Sequence, residues 1–472
     1  MVFSSTIFLF FFLPITVLVY LICPSRWKNG WLLFVSLFFY LWGGIAFFPV
    51  MVFSILVNYT GGRLMDWLRK SQNLRWCKIA FIITLVLNLG NLVYWKYTGF
   101  LANIVQNVTG WKIHIPEIVL PIGISFFTFQ GMSYVIDLYR QEVPVQRSLS
   151  RLALYISLFP QLIAGPIVRY ADIEKQLSTH KTSIDGFASG VRYFTVGLAK
   201  KAILANSVAI IADKIFAIPA GQRMISVAWI GIVFYTFQLY FDFSGYSDMA
   251  IGLGKMFGFT FPQNFNYPFI SCSMTEFWRR WHISLSSWFR DYVYIPLGGS
   301  RKGNVYIHLF IVFLLTGTWH GASWNFVLWG VYFGIIVVVE RLVLKRTGGK
   351  GILPKWMGWV RTMFFWMMSM VLFRADTFAD SIAYYRCLFG VQKLENIGFS
   401  TAYFLHRYEI VILIICSLAA LPIGKHLYYK IKESVPTGLF SVMQNVAIIV
   451  LFGISVLYVV TSTYNPFIYF QF

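Results

Sequence analysis

The chain has few charged residues for its size. Only 12% of its 472 residues are Asp, Glu, Lys or Arg, whereas 58% are hydrophobic. Soluble globular proteins carry about 25% charged residues, so this composition excludes an ordinary soluble protein. Successive apolar stretches of about 16 to 22 residues are each long enough to cross the hydrocarbon core of a bilayer. The sequence therefore predicts an all-α polytopic membrane protein.

Cysteine and the common catalytic motifs are also scarce. The five cysteines are scattered without Cys-x-x-Cys spacing, which indicates unpaired apolar residues rather than a disulfide or metal framework. No His-Glu-x-x-His, nucleophile elbow, phosphate-binding loop or dinucleotide fingerprint stands out. His282 and His320 alone lack a third ligand for zinc. We expect no metal site and no permanently bound cofactor.

Acidic residues are outnumbered by basic ones, 18 against 39, which gives a formal net charge of +21. The basic residues lie in short clusters between apolar segments. This is the pattern of cytoplasmic loops in membrane proteins, with attraction to anionic lipid headgroups as a second effect. It does not favour nucleic acid as a partner, and the partner it predicts is the lipid bilayer.

The basic clusters also predict an orientation. Residues 6–21 lack the basic leader and cleavage site of a signal peptide, so we expect a retained first span with the N-terminus outside. The basic loops at 63–78 and 341–355 then both fall in the cytoplasm. The last span, 439–460, exits, and the tail 461–472 begins on the outer face.

The middle of the chain is less regular. Pro160 and Pro166 interrupt one apolar stretch, and Lys200 and Lys201 interrupt another. Proline breaks helices, and irregular backbone at membrane depth is tolerated only inside protein or beside a cavity. We therefore expect short or re-entrant helices in this region.

One apolar stretch carries two acidic residues, Asp242 and Asp248, together with Ser244 and Ser247. The two aspartates are six positions apart, a poor spacing for one face of a helix, so they are not expected to act as a paired acid and base. Hydrogen bonding between helices through small polar residues is the favoured interpretation.

Residues 275–292 alternate aromatic and basic side chains, as is typical of a helix along a membrane interface. Arg279, Arg280 and Arg290 are candidates to bind a phosphate-bearing donor, because guanidinium groups match phosphate oxygens. The same stretch contains His282, which as an isolated histidine would more often be structural.

His320 lies in an apolar stretch between Gly317 and Gly321. Ionisable residues at membrane depth are costly and usually face a bundle interior or a wet cavity. The glycines allow close backbone approach and are expected to break a helix, which is tolerated at membrane depth only beside a cavity. Because a neutral imidazole accepts a proton near pH 7, His320 is a candidate general base acting on a hydroxyl group.

Motifs of one known family occur in order along nearly the whole chain. They include PIGISFFTFQ at 121–130, FPQLIAGP at 159–166, PQNFNYP at 262–268, FWRRWH at 277–282, YIPLGG at 294–299 and TWHG at 318–321. In these motifs the chain resembles the bacterial membrane-bound O-acyltransferases, and most closely the membrane subunit of alginate and peptidoglycan O-acetylation systems.

The resemblance implies one membrane domain over residues 1–472, with 439–472 forming a final transmembrane helix and an extracytoplasmic tail. The fold would be a funnel of about 11 or more transmembrane helices plus short re-entrant or interfacial helices, in the bacterial cytoplasmic membrane with both termini outside. His320 matches the family's catalytic histidine and His282 its second signature position. His282 would orient the donor or stabilise charge.

The resemblance also implies the reaction. Acetyl-CoA would enter from the cytoplasm, and an extracytoplasmic esterase-like protein of the SGNH type would complete transfer to a sugar. The aromatic tail at 467–472 is either an interfacial anchor or, by resemblance, a tyrosine motif of an acyl relay. In the relay, His320 accepts the proton of Tyr469 while its phenol attacks the thioester.

Other functions stay open at this point. Within the family, the alternative is D-alanyl transfer to teichoic acid from an aminoacyl carrier protein. From other classes, a transporter or flippase would show internal repeats, none of which is evident, and a structural subunit would not need both histidines and Tyr469. The acceptor is equally open among peptidoglycan, alginate, cellulose and another exported glycan.

Overall fold

The protein is described by a computed structural model that covers residues 1–113, 118–179, 182–349, 352–392, 398–462 and residue 464. Within these ranges the regular structure is helical and no strand occurs. The chain forms two compact units: Met1–Phe194 with Ser247–Pro262, and Thr195–Tyr246 with Gln263–Phe472. The all-α fold class predicted from the sequence is confirmed.

The first unit is a bundle in which α3, α4 and α5 pack together. Asn58 of α3 and Asn88 of α4 exchange amide hydrogen bonds of 3.0 and 3.1 Å, and both side chains are buried. Such pairs join apolar helices where the hydrophobic effect contributes little. The helices that begin in this unit are α1 (Leu13–Ile22), α2 (Lys28–Gly43), α3 (Phe48–Lys70), α4 (Leu74–Thr109), α5 (Ile124–Tyr139), α6 (Leu149–Ser157), α7 (Phe159–Leu162), α8 (Tyr170–Ile173), α9 (Gln176–Thr179) and α10 (Ile184–Ala199).

The stretch around Lys200 and Lys201 departs from the expectation of short or re-entrant helices. Helix α10 continues through a π-helical segment, Lys200–Ala205, into α11 (Asn206–Phe216), so residues Ile184–Phe216 form one apolar helical stretch. The prediction of a break was wrong at these lysines because Lys201 is neutralised by an acidic partner, Asp242, 2.6 Å away. The pair removes the need for either charge to reach water.

The second unit is built around an aromatic core. Its centre is Trp278, Trp281, Trp329, Phe333 and Trp366, all buried. The helices of this unit, besides α11, are α12 (Ile225–Met256, whose end belongs to the first unit), α13 (Met274–Arg280), α14 (Ile283–Phe289), α15 (Val305–His320), α16 (Trp324–Arg346), α17 (Lys355–Arg374), α18 (Phe378–Leu388), α19 (Thr401–Phe404), α20 (Arg407–Ala419), α21 (Ile423–Ser434) and α22 (Thr437–Thr461).

Several helices have the length and composition of membrane spans. Six described helices are long and apolar enough to cross a bilayer, or seven when α20 and α21, bent by 66°, are one span. The expected interruption in the apolar stretch 152–168 is confirmed, because α6 ends at Ser157 and the four-residue α7 follows. The larger number of spans and the orientation stay predictions.

Candidate active site

His320 is the last residue of α15, and its imidazole is held by aromatic rings. The ring centroids of Trp319, Trp329 and Phe373 lie 5.0 to 5.2 Å from it, all edge to face, and Phe326 stacks at 6.5 Å. The side chain is 5% exposed. Such a setting fixes the ring and lowers the local dielectric, which strengthens any electrostatic interaction that His320 makes.

Gly317 explains how α16 comes so close to this histidine. A Cβ atom on Gly317 would lie 2.4 Å from the Phe326 carbonyl oxygen and 2.7 Å from Gly330 Cα. A larger residue would therefore push α15 and α16 apart, and Phe326 and Trp329 with them. The predicted role of this glycine in close backbone approach is confirmed.

His282 lies in the turn between α13 and α14. Its backbone adopts the left-handed conformation, φ 44° and ψ 53°, which is strained for a residue with a side chain. The imidazole is fully buried, and its Nδ1 lies 3.2 Å from Asn264 Oδ1. Its Nε2 has no hydrogen-bond partner among the described residues. Buried imidazole nitrogens are normally satisfied, so this atom is unusual.

The two histidines share one aromatic pocket. The Trp319 ring contacts both, with centroids 6.0 Å from His282 and 5.0 Å from His320. Phe243 of α12 closes the other side of His282 with an edge contact at 4.7 Å. Residues 38 positions apart in the sequence therefore meet through a single tryptophan, at the place where the sequence predicted a site.

A cavity of about 500 Å³ is lined by residues that are close in the chain to both histidines. Its lining includes Ile283, which follows His282 in the chain, and Thr316, which precedes His320 by one helical turn and therefore shares its helix face. Thr316 and Trp278 mark its buried part, with 6% and 8% exposure. The volume lies in the usual range for small-molecule sites, about 300 to 1,000 Å³.

Three exposed arginines line the same cavity: Arg279, Arg290 and Arg341. Two of them were candidates from the sequence, and Arg341 was noted there only as part of a cytoplasmic loop. The third candidate, Arg280, is not in the lining, because it pairs with Glu276 at 3.0 Å and donates to the Asn266 carbonyl. Arg290 also pairs with the neighbouring Asp291. No sequence pattern predicts that Arg341 lies near Arg279, because the two residues are 62 positions apart in the chain.

The described residues contain no group of three or more His, Cys, Asp or Glu side chains that could hold a metal ion. Asp242, which the sequence analysis did not expect to pair with Asp248 as acid and base, lies instead beside Lys201. The side chains that the structure brings together here are two imidazoles with the aromatic rings around them, and the arginines of the cavity.

The C-terminal tail is described up to Tyr464, apart from residue 463, and Tyr469 lies outside the described residues. The Tyr464 hydroxyl donates to the Asp213 carboxylate, and Asp213 pairs with Arg374 at 3.0 Å. Burial and the hydrogen bond to Asp213 raise the pKa of the Tyr464 phenol, which stays protonated. Because Phe373, next to Arg374, packs on His320, the start of the tail is anchored near the aromatic pocket.

Comparisons with known proteins identify the family of the chain. A family model described as MBOAT, membrane-bound O-acyltransferase family, matches residues 140–377, a range that contains both histidines. The probable alginate O-acetylase AlgI of Pseudomonas putida is 37% identical over the full length of both chains. The peptidoglycan O-acetyltransferase of Helicobacter pylori is 32% identical over 100% of this chain and 98% of that protein.

A shorter match is to a protein that is named for a different acyl group. The teichoic acid D-alanyltransferase of Bacillus subtilis is 32% identical over 46% of this chain and 58% of that protein. The helices that can cross a membrane, the family match and the full-length relatives give one conclusion. This chain belongs to the membrane-bound O-acyltransferase family: it is a multi-pass membrane protein and an O-acyltransferase.

Proposed function

We propose that the protein takes acetyl groups from cytoplasmic acetyl-CoA and passes them across the cytoplasmic membrane to an extracytoplasmic partner of the SGNH type. The partner O-acetylates an exported or cell-wall polysaccharide, either peptidoglycan or an alginate-like polymer. The observation that carries the proposal is the cavity whose lining contains exposed arginines together with Ile283 and Thr316, which are close in the chain to His282 and His320.

The cavity suits a thioester whose far end is anionic. Arg279, Arg290 and Arg341 supply guanidinium groups for the phosphates of the donor, which they can bind with paired hydrogen bonds. The narrow acetyl-pantetheine arm then extends toward Thr316 and Trp278. Arg341 lies near the C-terminal end of α16 and not in a loop. The charge pattern predicts that this end of α16 is cytoplasmic, which supports entry of the donor from that side.

The acyl relay needs one base and one nucleophile. His320 accepts the proton of the Tyr469 hydroxyl while the phenol oxygen attacks the carbonyl carbon of the thioester. When the carbon–sulfur bond breaks, the thiolate of CoA leaves and takes the proton from His320. The acetyl group is then a phenyl ester on Tyr469. A serine of the partner protein attacks this ester, which transfers the acetyl group and restores the tyrosine.

The position of the tail supports this role for Tyr469. Tyr464 is held at Asp213, and Tyr469 follows it by five residues, at most about 17 Å of extended chain. Asp213 in turn pairs with Arg374, the neighbour of a residue that contacts His320. A short tail anchored at this point supports a role for Tyr469 at the aromatic pocket.

Acetyl transfer is favoured over D-alanyl transfer. The relatives that match the full chain carry acetylation in their names, whereas the D-alanyltransferase match covers less than half of it. By the family resemblance, the D-alanyl system also carries its tyrosine tail on a separate small peptide. The tail at 461–472 of this chain is therefore better suited to acetyl transfer.

The test is the mass of the intact purified protein after incubation with acetyl-CoA. Wild type should gain one acetyl group, and Tyr469→Phe should gain none while folding and binding donor normally. His320→Ala should also remain unmodified, because the phenol then has no base. Tyr429→Phe is a matched control, because it changes an exposed tyrosine of α21 and leaves the tail and its anchor intact, and it should still be acetylated. Unchanged transfer to the partner by Tyr469→Phe would reject the relay.

A further inference from the structure

Asn264 is tied through its backbone to the turn that holds His282. The Ile283 N–H donates to the Asn264 carbonyl at 3.0 Å, and two residues on, the Asn266 N–H donates to the Arg280 carbonyl at 2.9 Å. The turn is thus bound on both sides of His282. Asn264 itself is 1% exposed. A buried residue fixed in this way can orient its neighbour through its side chain.

The side chain of Asn264 determines which nitrogen of His282 carries the proton. Asn264 Oδ1 accepts from the Ser284 backbone N–H at 3.2 Å and from the Ser284 hydroxyl at 2.9 Å. Because a backbone N–H can only donate, the atom that receives it is the amide oxygen and not the amide nitrogen. That oxygen also lies 3.2 Å from His282 Nδ1. An amide oxygen has no hydrogen, so Nδ1 must be the donor.

The consequence concerns the other ring nitrogen. In a neutral imidazole with a protonated Nδ1, Nε2 carries a lone pair and can only accept. This buried acceptor has no donor among the described residues, and the backbone of His282 is held in a left-handed conformation. Unsatisfied acceptors and strained backbone persist mainly where they serve a site.

We propose that Asn264 is a positioning residue that holds His282 in its Nδ1–H tautomer, so that Nε2 accepts an N–H or O–H hydrogen of the bound substrates. The role is stated for the acetyl transfer proposed above and rests on it. It separates two roles of His282 that the sequence left open: a neutral Nε2 acceptor orients an amide or hydroxyl group, and it does not stabilise the negative charge of a tetrahedral intermediate.

A purely structural role for Asn264 is the alternative, since the same oxygen binds the first turn of α14 through Ser284. Three variants distinguish the positioning role of Asn264 from the purely structural one. Asn264→Leu removes the acceptor at similar volume, and Asn264→Asp keeps acceptor oxygens. Ser284→Ala is the matched control, because it removes one hydrogen bond to Asn264 Oδ1 and leaves both the backbone hydrogen bond and His282 in place.

The kinetic test is acetyl transfer from acetyl-CoA by the full-length protein in detergent. Asn264→Leu should lower kcat about 10- to 100-fold, the range known for the loss of residues that orient metal-bound histidines, with KM for acetyl-CoA near wild type. Its melting temperature should fall, because buried donors lose their acceptor, and the protein should stay folded at the assay temperature. Asn264→Asp should restore most of the rate, and Ser284→Ala should stay near wild type. A carboxylate at position 264 favours the imidazolium form of His282. When the pH is lowered, the transfer rate of Asn264→Asp should therefore begin to fall at a higher pH than the rate of wild type. His320 is the titratable neighbour of His282, and it is present in all three variants.

Nitrogen-15 NMR of histidine-labelled protein provides a test that needs no activity. The chain has seven histidines, and the His282 signals are assigned by their absence in His282→Gln. The expected spectrum shows a protonated Nδ1 and an unprotonated Nε2 in wild type, and a mixed or reversed tautomer in Asn264→Leu. A protonated Nε2 in wild type, or full activity in Asn264→Leu, would overturn the inference. A wild type with the expected tautomer but no acetyl transfer would reject the proposed function alone.

Discussion

Two buried polar groups of the second unit show opposite solutions to the same problem. Lys201 and Asp242 lie 2.6 Å apart with side chains 1% and 2% exposed, so each neutralises the other. His282 is equally buried, yet its Nε2 has no partner among the described residues. In the first arrangement each charged group has an oppositely charged partner, whereas in the second one ring nitrogen has no hydrogen-bond partner among the described residues.

This contrast shows how a structural role and a functional role can be told apart for a polar residue in an apolar chain. Charge and depth alone did not separate Lys201 and Asp242 from His320, since all three interrupt apolar stretches. What distinguishes them is the set of residues with which each side chain interacts. A buried polar group whose charge and hydrogen bonds are satisfied by neighbouring residues has a structural role. An enclosed titratable group near a cavity, with an unsatisfied hydrogen-bond acceptor close by, is suited to catalysis.

The largest expected effect comes from breaking the ion pair. Lys201→Met leaves a buried, uncompensated carboxylate, which should destabilise the protein by about 3 to 5 kcal/mol. The measurement is thermal unfolding in detergent at fixed pH. His320→Gln should shift the melting temperature much less, because an uncharged amide replaces an uncharged imidazole in the aromatic pocket.

The double variant Lys201→Met, Asp242→Leu tests whether the role of the ion pair is structural. With both charges removed, the stability should return close to wild type, and acetyl transfer should return with it. A double variant that is stable but inactive would contradict the structural assignment and place the pair in the reaction.

A smaller effect is expected at the exposed arginines. Arg279→Ala removes a guanidinium group from the cavity and should raise KM for acetyl-CoA roughly tenfold, with kcat little changed, because a charge-assisted hydrogen bond contributes about 1.5 to 3 kcal/mol. Arg280→Ala is the matched control from the next position: it breaks a half-buried pair with Glu276 and a hydrogen bond to the Asn266 carbonyl, and it removes no group from the cavity. Equal effects of the two changes would argue against the cavity as the donor site.

The sequence predicted the helical membrane class and the close backbone packing beside His320, because both depend on local composition. Apolar stretches predict helices directly, and the glycines beside His320 indicated close packing that the contact of Gly317 with Gly330 bears out. The break near Pro160 followed from the loss of a backbone donor and the ring's steric clash.

What the sequence could not show depends on contacts between distant positions. The continuous helix through Lys201 requires Asp242, 41 positions away, and the orientation of His282 requires Asn264. Arg341 joins the donor cavity only through the packing of α15 and α16. No periodicity or motif spacing encodes such pairs in a single sequence.

The central claim is that the arginine-lined cavity delivers a thioester to the two histidines. The most direct measurement is a cryo-electron microscopy structure of the full-length protein with a non-hydrolysable thioether analogue of acetyl-CoA. The account predicts phosphates at Arg279 and Arg341, the pantetheine arm beside Trp278 and Thr316, and the acetyl group within about 3 to 4 Å of the imidazoles of His282 or His320. An analogue bound elsewhere, with this cavity empty, would contradict it.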